Sequence, residues 1–175
     1  MNSQNRTLFL YDLINKDTIS PLIESIVTIN EYDEDKQIPI EKREPIKLYI
    51  NSYGGTIYDA LSGCSAIVSS KTPIYGICYG YAFSAGLTLF VACHKRFGGK
   101  YSSYMIHDPS EEIGKDKLYV LEDRIKELRR KKQIRTDFII SRTLLRQQDF
   151  DMHRYDDWFF DVNTALELGI VHEIV

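Results

Sequence analysis

Cysteine, proline, histidine and tryptophan are scarce in this chain of 175 residues, at three, five, four and one, and each scarcity closes off a class of protein. Cys64, Cys78 and Cys93 share no C-x-x-C spacing and cannot all pair within one chain, so no disulfide framework is encoded. All three lie in apolar runs, where free cysteine behaves as a small hydrophobe. Ten glycines and five prolines are too few for a collagen-like or low-complexity chain, and 43% hydrophobic against 27% charged residues excludes full disorder. A cationic surplus is also missing. Lys plus Arg is 22 and Asp plus Glu is 25, for a net charge of -3, so nucleic acid is not expected as the main partner, because phosphate binding draws on excess positive charge. The longest apolar stretch, Ala82 to Cys93, is interrupted by Ser84 and Thr88 and falls short of the roughly 20 residues that span a bilayer. No membrane partner is expected. The opening Met1-Asn2-Ser3-Gln4-Asn5-Arg6 carries no signal-peptide pattern, so the thiols read as reduced and the location as cytoplasmic. With no internal repeat and no Pro/Gly/Ser-rich linker, residues 1–175 read as one domain large enough to bury a sizeable core.

What is present is an alternation of strand and helix signals. Thr7 to Ile14 is strand-like, and Ile19, Leu22, Ile23, Ile26 and Val27 share one helix face with Thr18 as the expected N-cap. Asn30 to Pro45, dense in charge and with two prolines, predicts an exposed loop. Ile46 to Ile50 is a short apolar strand running into the turn Asn51-Ser52-Tyr53-Gly54-Gly55, and Ile57 to Val68 has helical spacing. A strand from Ile74 to Tyr79 then meets the small-residue turn Gly80 to Gly86, followed by an apolar helix through Cys93. This order implies right-handed crossovers and a parallel, helix-covered sheet, an α/β fold. Further strands are expected at Arg96–Phe97 and Tyr101–Ile106. Lys115 to Gln148 reads as helix-rich, with the basic run Arg129-Arg130-Lys131-Lys132 as a solvated helix face. A short helix at Asn163 to Leu168, capped by Gly169, precedes a last apolar strand.

Open α/β sheets bind ligands at the C-terminal ends of their strands, and two glycine turns fall there, after Ile50 and after Tyr79. Ser84 sits in the second, with Ala82 two residues before and Gly86 two after, close to the small-x-Ser-x-small pattern that exposes a nucleophilic hydroxyl at a strand-to-helix turn. A serine at a helix start is more often only a cap. A serine nucleophile needs a base, and the histidines differ in placement. His94 reads as a surface helix end, His153 as part of a charged loop, and His172 as near the terminus. His107 ends the apolar strand Tyr104-Met105-Ile106 and is turned by Asp108-Pro109, which brings it to the sheet edge that carries Ser84. A carboxylate would have to hold its tautomer, and Asp149, Asp151, Asp156, Asp157 and Asp161 are all available. Spacing does not choose among them.

Together these segments resemble a known family. Tyr49-Ile50-Asn51-Ser52-Tyr53-Gly54-Gly55 resembles the Y-I-N-S-P-G-G of the Clp protease proteolytic subunits, the ClpP family of serine peptidases. Gly80-Tyr81-Ala82-Phe83-Ser84-Ala85-Gly86 is similar to that family's G-x-A-A-S-M-G, and Met105-Ile106-His107-Asp108-Pro109 to its M-I-H-Q-P. Thr164 to Ile174 matches its apolar ending, and counting back from there without a gap places the family's aspartate at Asp157. The resemblance runs from about Thr7 to Val175.

It implies a ClpP/crotonase-like fold of stacked ββα units with a protruding handle helix, and a Ser84-His107-Asp157 triad. Backbone N–H groups of Gly55 and Ala85 would form the oxyanion hole. Gly54, Thr56, Ile57 and Pro109 with the segment after it would bind peptide as an added strand. The implied activity is that of an ATP-dependent serine endopeptidase needing no metal or cofactor, cutting unfolded polypeptide inside a self-compartmentalised heptameric ring, single or stacked in two, with a Clp ATPase unfoldase as partner. Departures from the family pattern are Tyr53 for proline, Phe83 for a small residue, Trp158 after the aspartate, Asp156 for an arginine that links ring to ring, and Ser110-Glu111-Glu112 for the handle's Gly-Gly. Six residues precede the first strand, where the family carries a longer pore-lining segment. Two other readings of the same fold are a non-catalytic ring subunit and a maturation protease of a mobile element. An acyl-CoA enzyme of the crotonase group is disfavoured by the matched serine and histidine.

Overall fold

A computed structural model describes residues 5–109 and 114–175; the handle residues Ser110, Glu111 and Glu112 lie outside that range. The strands are β1 Thr7–Leu10, β2 Ile46–Ile50, β3 Ile74–Cys78, β4 Tyr81–Phe83, β5 Lys95–Gly98, β6 Ser103–Ile106, β7 Trp158–Asp161 and β8 Glu173–Ile174. The α-helices are α1 Lys16–Asp35, α2 Ile57–Ser69, α3 Ala85–Ala92, α4 Leu118–Ile140, α5 Gln147–Met152 and α6 Val162–Glu167.

Strands β1-β2-β3-β5-β8 make a five-stranded sheet in that order, and all four pairings are parallel. Ile46, Leu48 and Ile50 of β2 are buried, as expected for a strand with neighbours on both sides and helices over one face. Helix α1 packs on α2, and α2 on α3. Helix α3 is apolar all round and every one of its residues is buried, the composition of a helix at the centre of a core. A second sheet, β4-β6-β7, lies beside the first, with β4 and β6 parallel and β7 antiparallel to β6. Among the described residues no helix is long and apolar enough to cross a membrane.

Three local expectations change. Helix α1 starts a turn earlier than expected: Asn15 is the N-cap, and Thr18 is the third helical residue of a capping box in which each side chain accepts from the other residue's backbone N–H. The predicted loop at Asn30–Pro45 is helical to Asp35 and has a single 3-10 turn at Ile40–Lys42. Asp33 causes the difference, because it is fully buried against Arg6 and accepts a bond of 2.7 Å from Thr72 Oγ1. The turn at Gly80–Gly86 contains β4, and Trp158–Asp161 is a strand; both are set by pairing with β6 rather than by local composition.

Helix α4 has 23 residues, of which Arg135, Thr136 and Ile139 are buried. Its residues ahead of Leu128 are mostly exposed, which is the geometry of the expected handle.

Candidate active site

Ser84 is where the chain passes from β4 into α3. Its backbone holds φ 51° and ψ -115°, a region that side chains other than glycine rarely adopt. Several bonds enforce it: Ser84 N–H donates to Met105 O at 2.9 Å, Phe83 N–H to Ser52 O at 3.0 Å, and Thr88 N–H to Ser84 O at 3.1 Å. Behind it runs the turn after β2. A Cβ on Gly54, whose φ is +107°, would lie 2.9 Å from Ser84 Cβ and 3.2 Å from Ala85 N. On Gly55 it would fall 2.1 Å from Ile14 O. Both positions therefore require glycine, and the turn approaches the serine as backbone alone.

The Gly55 and Ala85 N–H groups share one physical property. Ala85 opens α3, so its N–H has no acceptor within the helix and sits at the positive end of the helix dipole. In the parallel bridge between Ile14 and Gly55, the bonds run from Ile14 N–H to Gly54 O and from Thr56 N–H to Ile14 O, each 2.8 Å, which leaves the Gly55 N–H out of the bridge. Far down the helix, Arg96 and Arg142 donate to the carbonyls of Val91 and Cys93, and Arg142 also to Ala92 O. Two guanidinium groups thus complete the C-terminal end of α3 and hold the helix in place.

His107 follows β6. Its Nε2 is 2.7 Å from Ser84 Oγ, and its Nδ1 is 3.3 Å from Asp157 Oδ1, so serine, imidazole and carboxylate form one line of contacts. The other aspartates of the stretch are engaged elsewhere. Asp149 accepts from Arg146 N–H at the start of α5, Asp151 from Gln147, and Asp161 from Thr164 N–H as the N-cap of α6. Asp156 lies 3.0 Å from His153 Nδ1, whose ring stacks on Trp158 with centroids 4.2 Å apart. The remaining histidines have structural partners. His94 Nδ1 accepts from Ile74 N–H, and His172 lies beside the Arg96 guanidinium.

A cavity of about 560 Å³ opens in front of Ser84 and His107, with Thr56, Ile57, Pro109 and Leu61 among its walls. Thr56 is internally engaged: its C=O accepts from Ala60 N–H, and its hydroxyl caps α2 through Asp59. Gly54 lies behind Ser84 rather than in the cavity wall. Tyr53 and Phe83, both departures from the expected pattern, pack on one another with centroids 5.8 Å apart, so the larger residue beside the serine is matched by the larger one in the glycine turn.

The contribution of α4 is not apparent from the basic run read as solvated. Lys132 pairs with the Asp108 carboxylate, Arg135 Nη2 donates to His107 O at 2.9 Å, and Leu128 lines the cavity. Positions 128, 132 and 135 share a helix face, and that spacing was the available signal. All three cysteines are buried; burial pushes the Cys78 and Cys93 thiols up to about 12, which removes them as nucleophiles near neutrality.

Known proteins share this framework. The chain is 25% identical over 174 residues to ATP-dependent Clp protease proteolytic subunit 2 of Treponema pallidum, covering 98% of this chain and 83% of that protein. It is 28% identical over 177 residues to proteolytic subunit 3 of Parasynechococcus marenigrum, covering 97% and 82%. A solved structure of a ClpP1 mutant from Listeria monocytogenes superposes with a TM-score of 0.83 at 24% identity, covering 99% of this chain and 92% of that one, and so has the same fold. The Clp protease family model spans residues 2–175, and the chain belongs to the Clp protease family.

Proposed function

We propose that this chain is the protomer of a Clp-type serine endopeptidase whose triad is Ser84, His107 and Asp157. With the Nδ1–H of His107 directed at Asp157, Nε2 is free to accept the Ser84 proton as Oγ attacks the scissile carbonyl. The oxyanion of the tetrahedral intermediate is held by the Gly55 and Ala85 N–H groups, two fixed donors that need no reorganisation as charge develops. His107 then gives the proton to the leaving amine. Water, deprotonated by the same imidazole, cleaves the Ser84 ester and releases the acid.

The observation that carries this reading is the 2.7 Å contact between His107 Nε2 and the Oγ of a serine held at positive φ at the mouth of a cavity. Unfolded polypeptide is the substrate class, held through Thr56, Ile57 and Pro109, with Gly54 shaping the turn behind Ser84. Residues 1–175 act as one domain, in a heptameric ring, one or two deep, served by a Clp ATPase in the cytoplasm. Support for assembly comes from the unpacked length of α4 and from exposed apolar side chains such as Phe9, Tyr11 and Leu13, more apolar surface than an isolated protomer needs.

A fluorophosphonate probe tests the chemistry. The assembled protein is expected to be labelled at Ser84, located by mass spectrometry, and Ser84→Ala to be unlabelled. A wild-type ring that takes no label would be a non-catalytic subunit, and the reading would fall.

A further inference from the structure

Arg135 is an unusual wall for a peptide-binding cavity. It is 4% exposed and lines the space in front of Ser84 and His107, where it is the one formally charged side chain among the described lining residues. A guanidinium has five N–H donors. Here Nη2 donates to His107 O, and Nε is buried with no acceptor among the described residues. Asp108, whose charge also acts on Arg135, is paired with Lys132. Arg96, which is equally buried, shows what a structural arginine does in this fold: its three nitrogens donate to the carbonyls of Ile170, Val91, Cys93, Arg142 and Gly169.

A cation left this short of partners among apolar walls is costly unless a ligand completes it. Burial lowers the Arg135 guanidinium to about 10, so it stays charged at neutral pH. The scissile carbonyl must sit against Ser84 and the Gly55 and Ala85 N–H groups, and the side chain on its acyl side is then the one nearest this cavity.

We propose that the cavity selects an acidic residue, glutamate above all, on the acyl side of the scissile bond, with Arg135 as the specificity-determining residue. The inference rests on the peptidase reading of Ser84 and His107. Charge-assisted pairing with a carboxylate accounts for the preference over the isosteric carboxamide of glutamine, and the apolar walls take up the methylene stem.

The experiment uses fluorogenic peptides that differ only at the acyl-side position (Glu, Gln or Met), cleaved by the assembled wild type and by Arg135→Met and Arg135→Lys. The glutamyl peptide is expected to be favoured in kcat/KM by about tenfold or more over Gln and Met in the wild type. The order should invert to Met in Arg135→Met, while Arg135→Lys retains a weaker preference for Glu. The ratio between peptides is the readout, because losing the bond to His107 O slows all three alike. Fluorophosphonate labelling of Ser84 separates the two readings. A labelled wild type that cleaves the Met peptide as well as the Glu peptide, or a labelled Arg135→Met with an unchanged ratio, overturns the pocket assignment alone. An unlabelled, inactive wild type overturns both. If Arg135→Met does not fold, the wild-type and Arg135→Lys ratios decide.

Discussion

Ser84 and its neighbours show how much a single position depends on its partners. A serine at φ 51° is strained by on the order of 1–3 kcal/mol, and the bonds to Met105 O and from Thr88 N–H hold it there. Asp157 is less constrained, with a side chain just over half exposed at 56%, and its adjacency to Asp156 makes the pair a direct test. Asp157→Asn is expected to lower kcat/KM on the order of 10²–10⁴-fold, because an amide can hold the imidazole in the wrong tautomer. Asp156→Asn, which touches His153 and not His107, should stay within roughly threefold of wild type, as exposed pairs contribute little. Steady-state kinetics on one fluorogenic peptide measures both. An Asp156 variant as damaged as the Asp157 variant would reassign the carboxylate. At this scale the motif around Ser84 and the turn after His107 are legible in the sequence. Spacing does not choose Asp157, since five aspartates of similar local setting differ only in which distant group each meets; the count back from the C-terminal family motif points to it.

Between elements, the tie that binds β1, α1 and the approach to β3 is the cluster of Arg6, Asp33 and Thr72. Burial by itself would raise the Asp33 carboxyl, but the hydrogen bonds from Arg6 and Thr72 and the Arg6 charge overcome it and hold the group below the ordinary aspartate value of 3.8. A carboxyl depressed in the folded state stabilises the fold in full above its unfolded value, and that contribution fades as pH falls through the folded value. Denaturant unfolding of the wild type should therefore lose stability as pH drops below about 4. Asp33→Ala should cost on the order of 1–3 kcal/mol at neutral pH, because Arg6 and the buried Thr72 hydroxyl lose their shared acceptor while Arg6 keeps its contacts to Glu44. Its curve should be flatter in the acid range. A variant as stable as wild type at pH 7 would remove the cluster from the account of the fold. The segment Asn30–Pro45 reads as a loop because its charges suggest solvent. Arg6 and Thr72, 27 and 39 residues from Asp33, lie beyond any local pattern.

For the molecule as a whole, assembly is the quantity to measure. Helix α4 leaves the body with few of its residues buried, and Leu118 and Tyr119 at its start are 73% and 61% exposed, an arrangement that makes physical sense when another copy covers them. Light scattering coupled to sizing should give a mass near seven times the 20.3 kDa chain, or twice that for two stacked rings. A stable monomer would contradict assembly while leaving the Ser84 chemistry to be judged by labelling.

The sequence by itself determined the order of β2, α2, β3, α3, β5 and β6, the two turns that open beside Ser84, and the placing of His107 at a strand end. These rest on glycine, proline and hydrophobic periodicity, whose energies act over a few neighbouring residues. Only the tertiary structure decided that the charged segment around Asp33 closes as helix, that β4 and β7 are strands, and that Arg135 turns inward to the cavity rather than outward with the basic run. In each case a charged or short segment has no strong local preference, and its energy depends on the burial and the partner that distant parts of the chain supply.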